Sequence, residues 1–109
     1  MGTRADFYVG RSGTAEWLGS IAYDGYPGGI DKPLLESRSP GTYRKRVAKL
    51  LAERDDATLP AQGWPWPWDD SNTTDFSYAF DKGRVYASCF GHGLYIATWA
   101  PPESWYDKH

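Results

Sequence analysis

The alternation of apolar and polar positions sets two β-rich ends around one helical stretch. Arg4 to Gly10 reads as a strand, because Phe7, Tyr8 and Val9 are strand formers and Gly10-Arg11-Ser12-Gly13 is a turn signal. Over residues 16–23 two periods compete. A strand would put Trp17, Gly19, Ile21 and Tyr23 on one face; a helix would line up Trp17, Leu18, Ile21 and Ala22 behind Thr14 as a cap. Gly19 weakens the helix and the preceding turn suits a hairpin, which favours the strand. Asp24-Gly25-Tyr26-Pro27-Gly28-Gly29 then breaks regular structure.

In residues 30–37, Asp31 could cap a single helical turn carrying Leu34 and Leu35. The clearer helix starts at Ser39, a good N-cap, with Pro40 at the first helical position where its missing N–H costs nothing. Tyr43, Val47, Leu50 and Leu51 follow at i, i+4, i+7 and i+8 as one apolar stripe, and the helix should fray near Arg54 to Asp56. Residues 57–72 form a long loop. After it, Phe76, Tyr78 and Phe80 alternate cleanly in one strand, Asp81-Lys82-Gly83 turns, and Arg84 to Phe90 returns. Gly91-His92-Gly93 reads as a second tight turn, and Leu94 to Trp99 as a third strand that Pro101-Pro102 ends.

The order is ββ-α-βββ. Short turns between successive strands imply antiparallel pairing, so the expected fold is α+β: an antiparallel sheet of about five strands with one main helix on one face. The other face would be covered by the long loop or by a partner, and an uncovered aromatic face would favour a homodimer. With 109 residues the chain is expected to be a single domain, 1–109. Aromatic residues make up 17 %, so the expected core is rich in Trp, Tyr and Phe.

Charge and cysteine content narrow the function classes. A formal net charge of −2 argues against direct nucleic-acid binding, which needs a clustered positive excess. A single cysteine allows no internal disulfide, and no run is apolar enough for a transmembrane helix. The N-terminus lacks the apolar core of a signal peptide, so the expected address is cytoplasmic.

The most informative segment is Gly63-Trp64-Pro65-Trp66-Pro67-Trp68-Asp69-Asp70, with three tryptophans in five residues. Each proline fixes its own φ and pushes the residue before it toward extended geometry, so the tract is a stiff loop. It has two readings. In one, the rings cover the open sheet face or plug the gap between helix and sheet. In the other, Trp64, Trp66 and Trp68 with Asp69 and Asp70, and with Tyr26 as a neighbour, form a recognition surface. Rigid tryptophans suit a protein partner, and a ring beside carboxylates would also suit a sugar or small ligand.

Catalytic signals are sparse. Cys89 and His92 lie close in sequence, as a nucleophile and its base would. However, Cys89 falls in a predicted strand, where cysteine is usually a small buried hydrophobe, and no third residue is placed to orient His92. With one Cys and two His, no zinc spacing exists, and no metal or cofactor is expected. The glycines match turn chemistry rather than a phosphate loop. Arg38, Arg44, Lys45, Arg46 and Lys49 read first as a solvated helix face and second as a docking patch; Asp55, Asp56, Asp69, Asp70 and Asp75 form an acidic counterpart.

The opening Ala5-Asp6-Phe7-Tyr8-Val9-Gly10, with Glu16-Trp17-Leu18-Gly19-Ser20 and Asp24-Gly25-Tyr26-Pro27, resembles a group of small, mostly uncharacterised proteins from bacteriophages and prophages. The resemblance covers the first quarter of the chain and carries no catalytic residues. It implies a phage setting, in which small acidic proteins without enzyme motifs often act by binding, and some block host defence complexes such as CRISPR–Cas. The expected function is therefore a non-enzymatic binding protein acting on a host protein or complex.

Overall fold

A computed structural model describes residues 3–10, 15–68, 71, 74–89 and the backbone of 92–96. Five longer strands and one main helix follow the ββ-α-βββ order: β1 Ala5–Val9, β2 Glu16–Ile21, α2 Pro40–Ala52, β4 Phe76–Asp81, β5 Arg84–Cys89 and β6 His92–Ile96. A one-turn helix α1, Lys32–Leu35, precedes α2, and a two-residue strand β3, Ala57–Thr58, follows it. The fold class is α+β. The spatial order of the six strands is β3-β2-β1-β4-β5-β6.

The sheet is mixed rather than wholly antiparallel. All neighbours pair antiparallel except β1 and β4, which run parallel with Phe7 opposite Tyr78. The reason lies in the long loop. β3 adds to the outer edge of β2, and the chain must then cross β2 and β1 to reach the far side of β1. Two successive antiparallel steps make β3 parallel to β1, so β4 enters in the direction β3 left. A parallel connection needs a crossover over the sheet, usually a helix. Here residues 59–75, which contain the Trp-Pro tract, make that crossover.

Each helix forms where its sequence directs. Asp31 occupies the N-cap position of α1, without a side-chain cap bond. Ser39 caps α2, its Oγ accepting from Thr42 N at 3.2 Å, with Pro40 in the first turn. Tyr43, Val47, Leu50 and Leu51 are the buried positions of α2. They pack on one sheet face against Phe7, Ile21, Phe76, Tyr78, Phe80 and Val85, where each buried aliphatic or phenyl side chain contributes about 1.5–3 kcal/mol. Burial pushes the Tyr43 phenol well above its ordinary pKa. Among the described residues the core aromatics are Phe and Tyr; the described tryptophans expected there, Trp17, Trp64, Trp66 and Trp68, lie outside the core.

Residues 16–21 are strand, with a bulge. Phe7 pairs with Gly19 but Tyr8 pairs with Trp17, leaving Leu18 as the extra residue. The bulge breaks the expected common face: Gly19 and Ile21 look toward α2, while Trp17 joins Ser20 on the opposite side, its Nε1 donating to Ser20 Oγ at 3.0 Å. His92 opens β6 opposite Cys89 rather than sitting in a turn; Phe90 and Gly91, and Ala97, Thr98 and Trp99 of the expected third strand, lie outside the described residues. Lys82 and Gly83 both take positive φ (50° and 80°), giving the expected tight hairpin between β4 and β5. Among the described residues no helix is long and apolar enough to cross a membrane.

Asp56 fastens the end of α2 to the end of β2. Its Oδ2 accepts from Ala22 N (3.1 Å) and Tyr23 N (2.8 Å), and Arg54 grips both carboxylate oxygens while donating to Tyr23 O. The Arg54 hydrogen bond, helped by the Tyr23 N–H and opposed by burial, holds the Asp56 carboxyl below the usual carboxylate range. A lowered folded pKa stabilises above the unfolded value, near pH 4, and that contribution disappears as pH falls through the folded value. Asp56→Asn should therefore lower stability by about 1 kcal/mol at neutral pH, and the deficit should shrink below about pH 4 in urea titrations.

Gly19 is held by both its backbone and its surroundings. Its φ is +148°, and a Cβ there would lie 2.6 Å from Leu51 Cδ1 and 2.9 Å from Thr58 O. Gly19→Ala should cost about 1–3 kcal/mol, read as a lower urea midpoint with an unchanged slope.

Candidate functional site

The face of the sheet opposite α2 carries Asp6 and Tyr8 from β1 and Ser20 and Trp17 from β2. Alternation in β1 turns Ala5 and Phe7 to the helix and Asp6 and Tyr8 away from it. The Trp-Pro crossover lies on that second face and is fixed there by Asp6, which has no exposed surface. Asp6 Oδ1 accepts from Ser20 Oγ (2.5 Å) and Trp66 Nε1 (2.7 Å), and Oδ2 accepts from Ser71 Oγ (2.6 Å).

The hydrogen bonds have a direction. A serine hydroxyl has one proton, so Ser20, donating to Asp6, accepts from Trp17 Nε1; Ser71, donating to Asp6, accepts from Tyr8 OH at 2.6 Å. Two relays, Trp17 to Ser20 and Tyr8 to Ser71, thus converge with Trp66 on one carboxylate. Successive bonds in such a chain polarise one another, and a buried carboxylate without them would be strongly unfavourable.

All three tryptophans of the tract are half-buried. Trp64 Nε1 turns back onto Trp68 O at 2.6 Å, and Trp68 Nε1 donates to buried Thr74 Oγ1 at 2.9 Å. With Trp66 on Asp6, each indole N–H is satisfied inside the chain. Trp66 and Trp68 stack at 5.7 Å between centroids, and Trp64 meets Trp17 edge-on at 5.0 Å. The Arg4 guanidinium lies 5.6 Å from the Trp66 centroid and 5.4 Å from that of Trp68, within cation–π range of both. Asp75 accepts from Arg4 N at 2.8 Å and pairs with its side chain at 3.8 Å.

The structure thus brings Trp64, Trp66 and Trp68 together. Tyr26 stands apart, 42 % exposed at the start of a 3₁₀ turn, with no ring contact to them among the described residues. Asp69 and Asp70 lie outside the described residues. Asp6, Ser20, Ser71, Thr74 and Arg4 escaped sequence reasoning. The one available signal was Asp6 itself, a charged residue inside the strand Ala5-Asp6-Phe7-Tyr8-Val9. Its burial depends on a loop about 60 residues away in sequence.

The other candidates divide. Cys89 is 2 % exposed, and its thiol is pushed up first by burial and then by the charge of Asp75, the reverse of what an activated nucleophile needs. Among the described residues no three His, Cys, Asp or Glu side chains gather as a metal site. In the basic stretch, Arg44 forms a two-pronged exposed pair with Glu16 across to β2, lowering the Glu16 pKa. No family model matches the chain, and no curated protein or solved structure matches it significantly.

Asp6→Asn tests the fastening at constant size. One oxygen becomes an amide donor, so one relay meets a donor instead of an acceptor. Stability should fall by about 1–3 kcal/mol, and iodide quenching of tryptophan fluorescence should rise. Unchanged quenching with unchanged stability would mean that Asp6 does not hold the loop.

Proposed function

We propose that this chain is a non-enzymatic binding protein that engages a protein partner through the Trp64–Trp68 tract. The resemblance of the opening to phage proteins supports a partner in a host cell's cytoplasm, a host protein or a defence complex such as CRISPR–Cas. One observation carries the reading: the three rings are half-exposed yet immobilised, with every indole N–H used internally and Pro65 and Pro67 stiffening the backbone between them. A surface built this way loses little conformational entropy on binding, and tryptophan is the side chain most enriched at interface hot spots. Asp69 and Asp70 follow the tract directly in sequence and would supply the polar rim, with Tyr26 a more distant contact.

The geometry favours this over sugar binding. A carbohydrate platform needs an open ring face, whereas Trp66 and Trp68 stack on each other beneath Arg4. The raised Cys89 thiol gives no support to a Cys89/His92 enzyme.

Truncating Trp66 would also remove a ligand of Asp6, so the informative substitution is at exposed Pro67, between two of the rings. Immobilised wild-type protein and Lys45→Glu, altered on the opposite face, should retain the same stoichiometric partner from a bacterial host lysate. Pro67→Glu should lose it while still melting in one cooperative transition, lowered only by the loss of one proline's stiffening. Equal capture by Pro67→Glu would defeat the proposal.

A further inference from the structure

The helix layer holds a second feature, on the face away from the tryptophans. Between α1 and α2 opens a groove of about 370 Å³ lined by Asp31, Lys32, Pro33, Leu34, Arg46 and Lys49. Arg46 and Lys49 are three positions apart on α2, so they leave the same side of the helix. Arg46 is anchored: its Nη1 donates to the Pro33 carbonyl and reaches Ser37 Oγ at 3.5 Å. One end of the guanidinium fork is therefore fixed, and the other has no partner among the described residues. The Lys32 and Lys49 side chains make no ion pair or hydrogen bond among the described residues.

The charge distribution sharpens the point. Within residues 32–49, Lys32, Arg38, Arg44, Lys45, Arg46 and Lys49 face a single acidic residue, Glu36, although the whole chain is net −2. The groove's own lining has three cations against one carboxylate, Asp31, whose charge also acts on Arg54.

We propose that this groove binds a phosphate group, presented as a small phosphomonoester. An excess of two positive charges balances a phosphate dianion, whereas a single carboxylate would leave one cation uncompensated. A fixed guanidinium edge flanked by ammonium groups suits tetrahedral oxyanions, with the fork giving direction and the lysines point charge. The groove is larger than a lone phosphate, and Pro33 gives the organic portion an apolar wall. This site is independent of the tryptophan face, so either assignment can fail without the other.

The test is an amide-resolved NMR titration of the whole protein with glycerol phosphate at about pH 8, where a phosphomonoester is a dianion, at constant ionic strength. Saturable shifts should concentrate at Lys32, Ser37, Arg46 and Lys49. Lys49→Gln and Lys32→Gln should each weaken binding about tenfold, the loss of one charge-assisted contact, and Lys45→Gln should leave it unchanged. Arg46→Gln also cuts the tie to α1, so the lysine variants carry the decision. Shifts that never saturate, equal shifts with acetate, or full affinity in both lysine variants would overturn the assignment. Binding to an oligonucleotide but not to glycerol phosphate would overturn it as well, because that pattern needs an extended surface and not a groove.

Discussion

A carboxylate removed from water must find donors within the protein, and at Asp6 that requirement organises one whole side of the molecule. The strand that carries Asp6 is central, between β2 and β4. Its donors come from the neighbouring strand, through Ser20, and from the crossover, through Trp66 and Ser71. Removing any one of the three donors would leave a buried charge short of partners, a defect that costs several kcal/mol. The attachment of the loop and the orientation of the Trp66 ring therefore follow from one side chain.

The two faces of the sheet solve burial differently. On the α2 face, aliphatic and phenyl groups pack around two phenol hydroxyls: Tyr43 OH reaches Tyr78 O at 3.5 Å, and Tyr78 OH donates to Gly25 O at 2.7 Å. On the other, the described part of the crossover has only a 3₁₀ turn, Pro60–Gln62, and presents no apolar helical stripe. Indoles take over that task, since each combines a large apolar body with one donor that fixes its direction. This accounts for the use of tryptophan where a helix-covered sheet would use leucine. It also leaves the polar machinery inside and the apolar edges outside, the arrangement on which the binding proposal rests.

The local elements were legible because local rules govern them. Ser39-Pro40 and the stripe Tyr43, Val47, Leu50, Leu51 specify α2 by capping and period alone, and Phe76, Tyr78 and Phe80 specify β4 by alternation. What stayed hidden is non-local. The parallel β1–β4 pair depends on a two-residue strand too short to leave a pattern, and the Leu18 bulge moves Trp17 to the other face by one residue. The tract was readable as a stiff aromatic loop, but its attachment was not, because Asp6 and Trp66 are 60 positions apart. The groove between α1 and α2 was visible only as a run of basic residues.

The crossover also has a consequence for how the chain reaches its native state. β4, β5 and β6 pair in sequence order and can assemble from local contacts, as can the β1–β2 hairpin. Setting β1 beside β4 instead brings together residues about 71 apart, as Arg4 and Asp75 are, and loop closure on that scale precedes any reward from pairing. The indoles can dock only after that step, since their anchor lies on β1 and their exit on β4. Tryptophan emission in this protein, summed over Trp17 and the tract, therefore carries the docking of the crossover, whereas the far-ultraviolet signal reports the hairpins and helix.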